Sequence, residues 1–288
     1  MSVAQLAAGR STPSVLRRAS SVGWLTVAST VWMLVLVIVA VIGPLVAPYD
    51  PTALDLMNVY AGPSSAHLLG TDETGRDILS RLLVGTAPTL AGPALVVLIA
   101  GAVGVLLALS MAWLGGRFDA FLSRVLDIMF AFPGIIVAIV AVSIFGAGFI
   151  APVIALSIAY IPIIARILRT SAIRQRNLPY IAALTVQGAS PARMWLTHLL
   201  PNLLPIITVQ LVVSFSYAIL DISAISYLGL GLQPPATDWG LMVASGQPAV
   251  IAGHPGQSIS AAVVIVITVV ALNLIGDRLG EHFDVEQR

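Results

Sequence analysis

The chain has 288 residues, of which 58% are hydrophobic and 9% charged, with a mean hydropathy of +0.98 and a net charge of +1. A soluble domain carries about 25% charged residues, so this composition excludes one and indicates an integral membrane protein. All fourteen basic residues are Arg, no Lys-rich tract suggests nucleic-acid binding, and the absence of Cys excludes disulfides and thiolate metal sites.

Segment 1–23 carries Arg10, Arg17 and Arg18 ahead of the first apolar run. That run, 24–46, is longer than the core of a cleaved signal peptide and long enough to cross about 30 Å of hydrocarbon. It reads as a retained first span. Five further runs qualify, at 90–114, 125–145, 150–168, 203–228 and 258–275. Backbone groups in lipid must be satisfied within the segment, so the expected fold is an all-α membrane protein with six transmembrane helices, occupying 24–276. An even number of spans places both termini on one side, together with twelve of the fourteen arginines; only Arg76 and Arg81 fall on the other. The arginine-rich side is therefore expected to be cytoplasmic.

Segment 47–89 then lies outside. It is polar, punctuated by Pro and Gly, and contains Asp50, Asp55, Asp72, Glu73 and Asp77. Thr71 is expected to cap a short helix whose Arg76 and Arg81 occupy adjoining turns. In the second span Ala100, Gly104 and Ala108 fall four apart, a face that lets another helix approach closely. Asp127 sits at the start of the third span, with Arg124 as its expected partner. Phe132, Pro133 and Gly134 predict a kink.

The cytoplasmic loop 169–202 is not apolar throughout. It reads as a helix over 180–187, ended by Gly188, then a second helix begun by Ser190 and Pro191 and running to about Leu200. Pro201 and Pro205 are expected to separate it from the fifth span. That span contains Asp221, an expensive group in a membrane and so a candidate for function. Asp221 could face a water-filled path, bond a neighbouring helix or reach the interface; Gln210 is a second candidate for lining a path. The external stretch 229–257 follows, with turn-forming Gly229, Gly231, Pro234 and Pro235, and with Trp239 as an expected interface anchor. Its apolar residues 241–251 are too few to span and are expected at the membrane surface or slightly re-entrant. Segment 277–288 is a polar cytoplasmic tail. No glycine-rich phosphate loop ending in Lys-Ser or Lys-Thr occurs, the histidines His67, His198, His254 and His282 all lie outside the expected spans, and no paired carboxylates or Ser–His constellation suggest an enzyme or a metal site.

Three stretches together resemble the C-type permease subunits of dipeptide/oligopeptide ABC importers. Residues 67–82 (Gly70, Thr71, Asp72, Gly75, Arg76 and Asp77 within them) resemble the family's outer motif before span two. Residues 226–240, with Gly229, Gly231, Gln233, Pro234, Pro235 and Trp239, resemble its outer motif after span five, and Asn273-Leu274-Ile275-Gly276-Asp277 fits its tail. Residues 180–201 resemble its cytoplasmic EAA loop, matching at Ala183, Gly188, Ala189, Ser190 and the Leu200-Pro201-Asn202 end. Where that loop usually begins Glu-Ala-Ala, this chain has Ala182-Ala183-Leu184, so the usual acidic group is missing; the tail also departs, with Asp284-Val285-Glu286 in place of Asp-Pro-Arg.

The resemblance implies a type I importer permease fold and a bacterial inner-membrane location. It implies a heterodimer with a second permease, two ATPase subunits that bind ATP and Mg, and an external binding protein that delivers peptide. This chain itself would hold no cofactor and catalyse no reaction. Tyr180, Ala182, Ala183, Gln187, Gly188, Ala189, Ser190 and Arg193 would contact an ATPase; the two outer motifs would dock the binding protein or form a gate. Related importers carry nickel chelates or glutathione, which stand as alternative cargoes. A self-sufficient ion-coupled carrier would show several buried ionisable groups or an internal repeat, whereas only Asp221 qualifies and no repeat is evident.

Overall fold

The computed structural model describes residues 15–283. Expectations for Arg10, for the rest of segment 1–14 and for the tail residues 284–288 lie outside the described residues. Among the described residues the secondary structure is helical, apart from one isolated bridge between Thr71 and Asp77.

Five elements are long and apolar enough to cross a membrane: α1 (Val15–Val46, apolar from Gly23), α2 (Ile78–Leu114), α5 (Ile150–Arg176), the continuous stretch Trp195–Tyr227 that ends in α8 (Leu200–Tyr227), and α11 (Gly256–His282). A sixth is reached when one bent pair of helices is taken as a single span. α3 (Gly116–Phe130) and α4 (Gly134–Phe145) meet at a bend of 76°, so the span expected over 125–145 is a broken one. The break falls at Phe132-Pro133-Gly134 as anticipated, because proline cannot donate to the ladder and clashes with the preceding turn. α3 lies across the arginine-rich end and binds α5 by ion pairs. Asp119 pairs with Arg169, and Asp127 pairs with Arg166 rather than with the expected Arg124. The tertiary partner wins because α3 crosses α5, whereas Arg124 can approach only along its own helix.

α2 is the central helix. Its 37 residues give a length of about 55 Å, well beyond a hydrocarbon core of about 30 Å. Its first turns therefore stand clear of the membrane, and the outer segment expected over 47–89 is a loop only as far as Asp77. Ala100, Gly104 and Ala108 are all buried. A Cβ built on Gly104 would lie 2.9 Å from Ile164 Cγ2 on α5, so the small-residue face does seat a neighbouring helix. α1 packs more lightly: Leu36 is buried and Trp32 Nε1 donates to Thr268 Oγ1 on α11 at 3.2 Å, while most of its large apolar residues are exposed, as lipid contact requires.

Two expectations about the remaining chain are overturned. Pro201 and Pro205 do not separate the loop from the next span. A π turn, Trp195–Leu199, feeds straight into α8, with Leu200 N–H donating to Trp195 O. Proline at 201 has no N–H to give, and the wider turn reroutes the ladder around it. Nor does Trp239 sit at the interface: it is fully buried. α9 (Trp239–Ser245) folds back into the bundle against α8 and α11, and only the following α10 (Gln247–Ile251) exposes apolar side chains, including Val250 and Ile251.

Candidate functional site

Three regions collect the residues singled out from the sequence. The first hangs from the arginine-rich end, between α5 and the π turn. α6 (Pro179–Val186) has Pro179 in its first turn, where a missing N–H costs nothing. It stops at Gly188, whose φ of +80° is the left-handed conformation glycine adopts at low cost. Ser190 Oγ then accepts from Arg193 N at 3.4 Å and starts α7 (Pro191–Met194). α6 drives Ile181 into the core, and Leu184 and Ala189 pack against it. Tyr180, Ala182, Ala183, Gln187, Gly188, Ser190 and Arg193 remain exposed. The exposed Ala182–Ala183 surface is thus apolar where the resembled family carries an acid. Asn202 Nδ2 donates to Tyr180 Oη at 2.9 Å, fixing α6 to α8. Behind it Trp195 meets Trp113 edge-on at 6.5 Å, and Arg176 both lies over Trp113 and donates to Ala112 O at 2.7 Å. α6 itself is bonded to α8, while the π turn and α5 behind it are the elements that meet α2.

The second region lies at the opposite end. Thr71 caps no helix; it bonds Asn58 O and Ala61 N within the loop. Asp77 is the cap of α2, its Oδ2 accepting from Ser80 N and Ser80 Oγ, both at 2.7 Å, while His67 Nδ1 lies 3.0 Å from Oδ1. Asp72 organises the turn. Its Oδ1 accepts from Thr74 N, Thr74 Oγ1 and Arg76 N, and its Oδ2 pairs with Arg76 and Arg81. Burial pushes the Asp72 carboxyl up, but these hydrogen bonds outweigh it and hold the group below its ordinary value. Gly75 takes φ +77° against Asp55 O, with no room for a Cβ, and Gly70 takes a tight turn nearby.

The second outer motif joins the same body. Gln233 Nε2 donates to Gly229 O and Gly231 O, and Pro234–Pro235 continue the turn. Trp239 N donates to Thr89 Oγ1 at 3.0 Å and Trp239 Nε1 to Leu82 O at 3.1 Å, tying this motif to α2 across 150 residues of sequence. Asp238, its carboxyl pushed up by burial, accepts from Leu241 N at 2.8 Å and from Ser226 Oγ at 3.0 Å. The two motifs read separately from the sequence are one packed unit.

The third region is a cavity of about 560 Å³ between α4, α5 and α8. Both path candidates line it. Asp221 Oδ2 accepts from Tyr160 Oη at 2.7 Å, and Gln210 Nε2 donates to Ser214 Oγ at 3.1 Å. Tyr160 and Tyr217 were not singled out from the sequence, nor was Asp238. Nothing local marks them: Tyr160 stands 61 residues from Asp221, and only the packing of α5 on α8 brings them together.

Residues 104–288 match the family described as the binding-protein-dependent transport system inner membrane component, and residues 24–63 match the N-terminal TM domain of oligopeptide transport permease C. The chain belongs to this family of ABC importer permeases. It is 35% identical over 265 residues to the "Probable D,D-dipeptide transport system permease protein DdpC" of Escherichia coli, covering 90% of this chain and 87% of the relative. It is 36% identical to the di/tripeptide permease protein DppC of Pseudomonas aeruginosa (88% and 85% covered) and 36% identical to the glutathione permease protein GsiD of Pectobacterium atrosepticum (90% and 86%). A chain of the inward-facing MetNI methionine ABC transporter shares the fold, with a TM-score of 0.52 over 69% of this chain and 94% of that one at 21% identity.

The permease is accordingly a multi-pass inner-membrane protein of the type I importer fold, and membership implies ATPase and substrate-binding partners. The family match over 104–288 takes in α6, the second outer motif and Asp221; the shorter match covers most of α1 and the first part of the outer loop.

Proposed function

We propose that the permease forms half of the translocation pathway of an ATP-driven importer of dipeptides or oligopeptides, with a second, different permease as the other half. Segments 1–23 and 277–288 and the loop 169–202 face the cytoplasm in this reading, and the outer motifs face the binding protein. The positive-inside distribution of arginines supports that orientation. α6 is the coupling helix: it sits in a groove of one of two ATPase subunits, which bind ATP and Mg and hydrolyse the nucleotide. Closure of the ATPases then shifts a two-state equilibrium between inward-open and outward-open arrangements, because the nucleotide-bound engine binds one arrangement better.

The observation that carries this reading is α6 itself, a short helix with an exposed apolar tip whose Ile181 is buried in the core and whose Tyr180 accepts from Asn202 of α8. Such a helix transmits displacement as a rigid body. Without the family's acidic residue, its contact with the ATPase rests on the Ala182–Ala183 surface, on shape and on Arg193. The names of the relatives at 35–36% identity support peptide cargo. The glutathione permease relative supports a second reading, glutathione, itself a small peptide with free charged ends.

The test is Gly188→Pro in the assembled transporter in proteoliposomes. Proline cannot adopt φ +80° and removes the N–H that donates to Thr185 O at 3.1 Å. The expected result is an assembled complex that hydrolyses ATP but imports peptide at least about tenfold more slowly. Unaltered uptake would remove α6 from the coupling role.

A further inference from the structure

We propose that the cavity between α5 and α8 is a binding site for a cationic nitrogen on the transported solute, with Asp221 as the group that receives it. The proposal rests on the reading of this chain as half of a pathway, and it names the chemistry that the pathway favours.

The cavity has the volume of a small-ligand site, at about 560 Å³. Its polar lining comes largely from one face of α8. Gln210, Ser214, Tyr217 and Asp221 follow one another at intervals of four, three and four residues and all line it, over a rise of about 16 Å. Asp221 alone among the lining residues carries a formal charge.

What distinguishes Asp221 is the partner it lacks. Asp72, Asp119 and Asp127 each hold an arginine. Among the described residues no ion pair includes Asp221; Tyr160 occupies Oδ2, and no protein donor reaches Oδ1. A carboxylate within a span is costly when unpaired, and a cation brought into the cavity would complete it. The walls suit such a guest. Phe132 and Tyr217 offer exposed aromatic surface, which attracts cations by its quadrupole, while the Phe130 ring is taken by Arg166, itself paired with Asp127. The solute class that fits is a small molecule with an ammonium group, as a peptide carries at its amino end; Gln210 and Ser214 are placed along the stripe to meet amide groups beyond it.

A purely structural clamp between α5 and α8 would also use the Tyr160–Asp221 bond, and one substitution separates the two roles. In Asp221→Asn the amide oxygen still accepts from Tyr160, so a clamp survives while the charge is gone. The permease has no cysteine, so Tyr217→Cys places a single thiol in this subunit, one turn from Asp221. In the assembled transporter, its rates of reaction with trimethylammonioethyl and sulfonatoethyl methanethiosulfonate are compared, each relative to a free thiol. The expected cationic-to-anionic ratio is about tenfold higher with Asp221 in place than after Asp221→Asn, a difference equivalent to about 1.4 kcal/mol. Tyr160→Phe should leave the ratio within about twofold. Equal ratios with and without the carboxylate overturn the proposal. Uptake of trialanine by the transporter with Tyr217 and Asp221 both in place separates this inference from the importer reading. ATP-driven uptake with a ratio indifferent to Asp221→Asn sinks the cation site alone. A ratio that depends on Asp221 with no nucleotide-driven uptake sinks the importer reading and leaves the site standing.

Discussion

Replacing Asp72 with Ala removes the carboxylate that two arginines share. The Asp72 side chain is fully buried, that of Arg81 is 2% exposed and that of Arg76 is 10% exposed, so neither cation can simply turn to water. Arg81 Nε is already without a hydrogen-bond partner. Breaking a buried pair by removing one member costs about 3–5 kcal/mol. The lost bonds from Thr74 N, Thr74 Oγ1 and Arg76 N belong to the same network, so they are not added separately. The loss should appear as local opening of the loop ahead of α2 rather than as collapse of the bundle, whose larger core cluster lies elsewhere. At about 4 kcal/mol, the opening constant rises about a thousandfold. The assay is limited proteolysis of residues 47–77 in detergent, under conditions where cleavage follows the open population. Asp72→Leu combined with Arg81→Met should regain most of the protection, because an apolar pair replaces a broken ionic one. The pH dependence carries a definite sign. A carboxyl held below its ordinary value of 3.8 contributes fully above that value, and the contribution disappears as pH falls through the lower folded-state value. Protection should therefore be flat from about pH 5 to about pH 8 with respect to this group. If Asp72→Ala raises cleavage less than about tenfold, the loop is held by something other than this cluster.

Further outcomes follow from the packing. Gly104→Val pushes a Cβ to 2.9 Å from Ile164 Cγ2 and 3.2 Å from Ala165 N, and should lower stability by about 1–3 kcal/mol, read as a reduced thermal midpoint in detergent. An unchanged midpoint would mean that α2 and α5 separate without cost. Trp239→Ala empties a fully buried site and removes the indole N–H that Leu82 O accepts, a loss of about 3–5 kcal/mol; thermal unfolding should fall accordingly, and the expected interface-anchor role would have predicted only a small effect. The Gly188→Pro and Asp221→Asn variants described above complete the set, one read by coupling ratio and the other by thiol reactivity.

The membrane class, five of the six expected crossings, the break at Phe132-Pro133-Gly134 and the loop helix that stops ahead of Gly188 were legible in the chain. Each depends on short-range physics: hydrophobic length against bilayer thickness, the missing N–H of proline, the left-handed backbone open to glycine. The small-residue face of α2 was legible for the same reason, since residues four apart share a helical face. Partners across the bundle were not. Asp127 chose Arg166 over Arg124, Asp72 gathered both outer arginines, Tyr160 met Asp221, and Trp239 went into the core beside Leu82 and Thr89. Helix crossing decides those pairings, and one-dimensional periodicity says which face is apolar without saying which helix covers it. The continuity of the π turn with α8 likewise depends on Pro201 being absorbed by a wider turn, and Met194 just before that turn and Leu199 at its end are buried. Local chemistry thus set the elements of this permease, and tertiary packing set which charges are paired, because a buried ion is stabilised only by what the fold brings within reach of it.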